Sequence, residues 1–179
     1  MKGEIKMGSL DFFRSSLKNF HNSFRDAVKD LNDEQLHFRP LGKGNSIAFM
    51  LWHTVRTEDS VVNFLLQKKP PVWNAEGWDK KFGMDARAQG TGMTAEQAAS
   101  IRISNLQDFL KYMENVFQSS EAYLDVVKEA DLDQVQEFQF LGKRSGYQVI
   151  GGVVLQHGSG HLGEIWYVKG LQGLKGSPI

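Results

Sequence analysis

Tyr147-Gln-Val-Ile-Gly-Gly-Val-Val-Leu-Gln-His157-Gly-Ser-Gly-His161-Leu-Gly-Glu164-Ile-Trp-Tyr-Val-Lys-Gly-Leu171 is the stretch on which the fold of this chain turns. Ile150, Val153, Val154, Ile165 and Val168 recur at helical spacing, which predicts a helix with one face turned to a core. Gly170 and Gly173 offer its C-terminal stop. His157 and His161 stand four residues apart, about 400° around a helix, so both imidazoles share that face. Glu164 follows one turn later and is expected to point inward with them.

Outward from this fourth helix, the rest of the chain supplies three more. Helix one is expected over Leu10–Leu31, with Ser9 as cap and Phe12 or Phe13, Leu17, Phe20, Phe24, Val28 and Leu31 as its apolar series. Asn32–Asn45 carries Pro40, Gly42 and Gly44 and room for one turn at Asp33–His37. Asn45 or Ser46 then caps helix two, Ile47–Gln67, which Pro70-Pro71 ends. The connection to Met93 has no clear period, four glycines (Gly77, Gly83, Gly90, Gly92) and the aromatics Trp73, Trp78 and Phe82. Loops this long are often binding elements, so Trp73 and Trp78 either pin the crossover to the bundle or cover a site. Thr94-Ala-Glu-Gln97 reads as a capping box opening a long or kinked helix three that ends near Ala130. Phe138 and Phe140 allow a short extended excursion before helix four. The expectation is a single all-α domain over residues 1–179, a four-helix bundle with a long crossover between helices two and three.

Composition narrows the function. A chain of 179 residues with 41% apolar residues can bury one sizeable core. Its 21 basic and 21 acidic residues balance, so no overall cationic field favours nucleic acid. There is no cysteine, which excludes thiolate ligands and disulfides and means that any thiol chemistry uses a thiol from outside. That is compatible with a cytoplasmic setting. Lys2, Glu4 and Lys6 precede no apolar block, so the N-terminus does not read as a secretory signal, and its first few residues are expected to fray. His53, Arg56, Glu58 and Asp59 interrupt the most apolar region, Ile47–Leu66, which argues against a membrane span.

In helix two, His53 falls on the apolar arc with Phe49, Met50, Val61 and Phe64, where it can meet helix four. His53, His157 and His161 together make three neutral nitrogen donors, a set that suits zinc or nickel and leaves coordination positions for water or substrate. Paired histidines can equally hydrogen-bond to each other inside a core. Glu164 is a candidate either to orient an imidazole or to act as general base on bound water. Gly158 and Gly160 either leave room for a ligand or pack at a helix crossing. Glu58 also faces inward and needs a partner, for which Arg56 lies on the wrong face; His21 and His37 are expected at surface or capping positions. Position 158 is glycine, so the His-Glu-x-x-His peptidase motif fails, and the single Glu34-Gln-Leu-His37 does not make a di-iron site.

Three segments, Asn45-Ser-Ile-Ala-Phe-Met-Leu-Trp-His53-Thr-Val-Arg56-Thr-Glu-Asp59, Gly90-Thr-Gly-Met-Thr94 and His157-x-x-x-His161-Leu-Gly-Glu164-Ile, together resemble the DinB/YfiT-like superfamily. The resemblance implies an up-down-down-up four-helix bundle, often a homodimer, with a divalent metal, zinc or nickel, held by a histidine triad matching His53, His157 and His161. It also implies that a low-molecular-weight thiol is a candidate small-molecule partner, since characterised relatives include thiol-dependent transferases and isomerases. The leading expectation is a metal-dependent enzyme that activates such a thiol for transfer to an electrophile. Alternatives are a hydrolase with Glu164 as base, and a non-catalytic, stress-associated bundle whose metal is structural and whose aromatic loop holds an apolar ligand.

Overall fold

The structure, a computed structural model, describes residues 8–178. Helix α1 spans Ser9–Val28 and starts from Gly8 in extended conformation rather than from a Ser9 cap. The turn α2, Asp33–His37, is closed by a reciprocal capping box between Asn32 and Gln35. Helix α3, Ile47–Asp59, opens where Ser46 Oγ accepts the Phe49 N–H, then widens into π-helix over Ser60–Leu66. The crossover holds two short helices, α4 (Val72–Ala75) and α5 (Trp78–Phe82).

The expected capping box at Thr94 and Gln97 is present, but the helix it opens, α6, covers only Ala95–Ser100. Helix α7, Leu106–Val126, begins afresh where Asn105 Oδ1 accepts the Asp108 N–H. The third helix, predicted as long or kinked, is therefore two helices separated at residues 101–105. There the Ile103 N–H is donated to His37 Nε2 instead of to a helical carbonyl. After α8 (Glu129–Asp133), the extended excursion is an antiparallel hairpin of β1 (Val135–Phe138) and β2 (Gly142–Ser145), pairing Val135 with Ser145 and Phe138 with Gly142. Helix four comprises α9 (Gly146–Val149), a π-helical stretch over Ile150–Gln156, and α10 (His157–Leu171).

The long helices form a ring in which α1 and α3 each pack on both α7 and α10. Leu17, Phe24, Leu51, Val55, Phe109, Phe117, Val149 and Ile165 fill its centre, each burial stabilising by about 1.5–3 kcal/mol. On helix four the buried face steps from Val149 and Ile150 to Val154, Gly158, Leu162 and Ile165, the interval of five residues falling in the π-turn. Every residue of α3 is buried, because the bundle covers one side and the crossover the other. Trp73 and Trp78 do pin that crossover: Trp73 stacks on Phe82 at 5.9 Å and meets Tyr112 edge-on at 5.0 Å, and Trp78 lies 6.0 Å from Tyr112. Among the described residues no helix is long and apolar enough to cross a membrane. The expected fraying and absence of a signal fall on residues 1–7 and lie outside the described ones.

Candidate metal centre

His53 comes from the middle of α3, with Phe49 one turn earlier stacked on its ring at 5.7 Å and 6°. His157 is the first residue of α10, directly after the π-turn, and His161 follows one turn on. These three histidines, predicted as metal ligands, converge. His157 Nε2 lies 3.1 Å from Nε2 of His53 and 3.1 Å from Nε2 of His161. One nitrogen from each ring falls within 4.8 Å of the others. The three rings are mutually near-perpendicular, at 84–88°, like the faces of a corner. Nitrogens bound tetrahedrally to one zinc at 2.0–2.1 Å are about 3.3 Å apart, so the cluster has the right size.

Proton accounting tests the fit further. His53 Nδ1 bonds the Gln89 carbonyl, which can only accept, so Nδ1 carries the proton and Nε2 a lone pair. His161 Nδ1 donates to Glu164 Oε2 at 2.7 Å, leaving its Nε2 as a second lone pair. His157 Nε2 faces both and can donate to one at most. Its own Nδ1 is buried with no hydrogen-bond partner among the described residues; the Val153 carbonyl four residues back acts on the ring without reaching bonding geometry. Burial holds the His53 pKa below that of free imidazole, and burial with the neighbouring His161 and His53 pushes His157 down to about 4. Imidazole nitrogens crowded on one point, with His53 and His157 biased toward the neutral form, make a group that could hold a metal ion.

The sequence profile of the DinB superfamily matches residues 17–165. The chain belongs to the DinB superfamily. A crystal structure titled "conserved protein of locus from Enterococcus faecalis" has the same fold, at TM-score 0.79 and 21% identity over 93% of this chain and 98% of that one. No curated protein matches in sequence. The DinB-superfamily match spans all three histidines.

Several surroundings of the triad differ from expectation. Glu164 does not point inward: its side chain is 57% exposed, and it reaches back to orient His161 from the solvent side. The two glycines between the paired histidines split their roles. A Cβ on Gly158 would sit 2.6 Å from Phe20 Cζ, so it packs at the crossing with α1, whereas Gly160 faces open space. Gln89 and Gly90, which contact His53 from the crossover, have no chemical signature as a site, since one acts through its carbonyl and the other through a missing side chain. Gly90 does carry a signal, as one of the paired glycines at 90 and 92.

His21 is not at the surface. It is fully buried, stacked on Phe117 at 3.8 Å, with Nε2 2.9 Å from Glu58 Oε1 and Nδ1 2.7 Å from Glu121 Oε1. It is the partner that inward-facing Glu58 required. Burial alone would lower the His21 pKa, but the two carboxylates outweigh it and the net shift is upward. His37 is also no surface residue, its side chain being 7% exposed where it holds Ile103.

Proposed function

We propose that this protein is a metal-dependent enzyme that activates a low-molecular-weight thiol for transfer to an electrophile. The observation that carries this is the convergence of three Nε2 atoms in a partly buried corner of a chain without cysteine. Three histidine donors leave coordination positions for a guest, as in catalytic rather than closed structural sites. A bound divalent ion, zinc or nickel, supplies a Lewis acid that lowers the pKa of the incoming thiol. His53, His157 and His161 hold that ion, and Glu164 fixes the tautomer and direction of His161 through Nδ1. Gly160, open to solvent between the two α10 ligands, leaves space for the thiol and its acceptor. The proposal includes a homodimer and a cytoplasmic setting, supported by family likeness and the lack of cysteine respectively.

The test is to purify the protein without chelator, measure bound metal, and follow conjugation of an electrophile by a panel of low-molecular-weight thiols. Turnover lost on chelation and restored by one equivalent of metal supports the reading; no metal-dependent turnover with any thiol refutes it. Glu164→Gln separates the hydrolytic alternative. If Glu164 only orients His161, the amide oxygen still accepts from Nδ1 and the rate falls modestly. If it is the base for hydrolysis, the rate collapses with metal content unchanged.

A further inference from the structure

His53, Arg56 and Asp59 lie three residues apart along α3 and all reach the crossover, while His53 also meets α10 through Nε2 and Asp59 also meets Tyr112 of α7. Asp59 is fully buried and takes up the start of the crossover. Its Oδ1 accepts the Val72 N–H at 2.8 Å and Asn63 Nδ2 at 2.9 Å; its Oδ2 accepts the Trp73 N–H at 2.9 Å and the Tyr112 hydroxyl at 2.9 Å. Arg56, equally buried, takes up its end. Its guanidinium bonds Asp59 Oδ2 at 3.3 Å, lies 5.0 Å from the Trp73 ring centre, and donates Nε to the Ala88 carbonyl at 3.2 Å and Nη2 to the Ala86 carbonyl at 3.4 Å.

The very next residues touch the triad. The Gln89 carbonyl accepts His53 Nδ1–H, and Gly90, at φ +97°, passes so close that a Cβ there would lie 2.7 Å from His53 Nδ1 and 3.1 Å from Trp52. We propose that the crossover segment 86–90 is the element that presents His53 to the metal, with Arg56 and Asp59 as positioning residues and Gly90 as the contact that admits the backbone to the ring. This rests on the reading of the triad as a metal site.

The reasoning is geometric. A single carbonyl sets both the tautomer of His53 and the plane in which its Nε2 points. That carbonyl belongs to an irregular segment whose side-chain anchors from α3, apart from His53 itself and among the described residues, are the two Arg56 bonds immediately before it. A planar fork bonding two carbonyls two residues apart fixes their spacing, which a lysine ammonium on a flexible stem does not reproduce. Because the ion and the segment both hold His53, each must stabilise the other by the same factor. Metal binding should therefore order the crossover, and a loosened crossover should weaken metal binding.

Arg87, exposed between the two anchored carbonyls, provides a reporter, since trypsin cleaves after it. The experiment compares wild type, Arg56→Lys, Arg56→Met, Gly90→Ala and His53→Ala, each stripped of metal. Zinc affinity is read by competition with a chromophoric chelator, trypsin cleavage at Arg87 with and without zinc, and helical content by circular dichroism. We expect Arg56→Met and Gly90→Ala to weaken zinc by about 10–100-fold, the usual range for groups that orient a ligand, with helical content kept. Arg56→Lys should recover only part of the loss. Zinc should slow cleavage at Arg87 in wild type and not in His53→Ala. If Arg56→Met unfolds the chain, Gly90→Ala and the cleavage measurement still decide. Wild-type zinc affinity in a folded Gly90→Ala, or cleavage at Arg87 indifferent to zinc, overturns the proposal while leaving the metal site standing. Equal zinc affinity in wild type and His53→Ala overturns the metal reading and the proposal together.

Discussion

Removing the imidazole of His21 tests whether the bundle centre holds a charged cluster. His21 has no exposed surface and Glu58 has 1%, while Glu58 Oε2 already lacks a hydrogen-bond partner among the described residues. In His21→Leu, the other oxygen loses its donor as well, leaving a carboxylate with no compensation inside the bundle. Breaking a buried pair from one side costs about 3–5 kcal/mol, a large part of the roughly 5–15 kcal/mol that holds a domain together. For a domain of this size that lowers Tm by roughly 6–20 °C. Replacing both members, His21→Leu with Glu58→Met, removes the stranded charge and should recover most of the loss. Linkage supplies a second arm. A histidine raised by its carboxylates contributes stability that is fully present below its unfolded value near 6.5 and is lost as pH rises through the higher folded value. Urea unfolding of metal-free protein at a series of pH values reads both effects. Wild type should weaken on the alkaline side of 6.5 relative to His21→Leu. A single variant that costs under 1 kcal/mol, or a double variant no better than the single, would refute the reasoning.

Three further expectations concern the triad and its glycines. Metal-free protein should lose stability relative to His157→Gln as pH falls from about 6.5 toward about 4, because burial and its two histidine neighbours depress the His157 pKa and protonation disfavours the folded state; urea midpoints across that range check this. Gly158→Ala should destabilise by about 1–3 kcal/mol, since its methyl would meet the buried Phe20 ring at 2.6 Å, whereas Gly160→Ala, facing open space, should gain up to about 1 kcal/mol of helix propensity; thermal melts moving in the same direction would count against both assignments. Free zinc at about 100 times its Kd should raise stability by about 2.7 kcal/mol with helical content unchanged on chelation, and loss of helix in the stripped protein would mean that the ion builds the bundle.

The triad was legible because a four-residue interval in a helix is a geometric statement, and because the segments around His53, Gly90 and His157 together resemble one family. The four long helices and two of the caps, at Ser46 and Thr94, follow from apolar spacing and from hydroxyl side chains just before it. The break at 101–105 was hidden, because Ile101, Ile103 and Leu106 continue a helical pattern and only the side chain of distant His37 competes for the backbone. His21 was misplaced for a related reason. It sits beside Phe20 in a periodic series, and nothing in α1 itself announces that Glu58 and Glu121, 37 and 100 residues away, close around it. The π-turns left no apolar signature beyond one five-residue step between Val149 and Val154.

Helix α3 explains why these features belong to one design. It is buried on all sides, so its ionisable residues need neighbours to compensate their charge, and those partners sort by face. Glu58 turns to α1 and meets His21, which Glu121 of α7 holds from the other ring nitrogen. His53, Arg56 and Asp59 turn to the crossover and meet backbone carbonyls, backbone amides and Tyr112. The first group depends on protonation of a histidine; the second depends on a segment of irregular chain held in place. A perturbation of His21 should thus reach global stability before it reaches the metal, while one at Arg56 should reach the metal first. Sites more than about 7–10 Å apart with no shared partner add independently, so zinc affinity and unfolding free energy measured on the same variants would expose any coupling between the two faces.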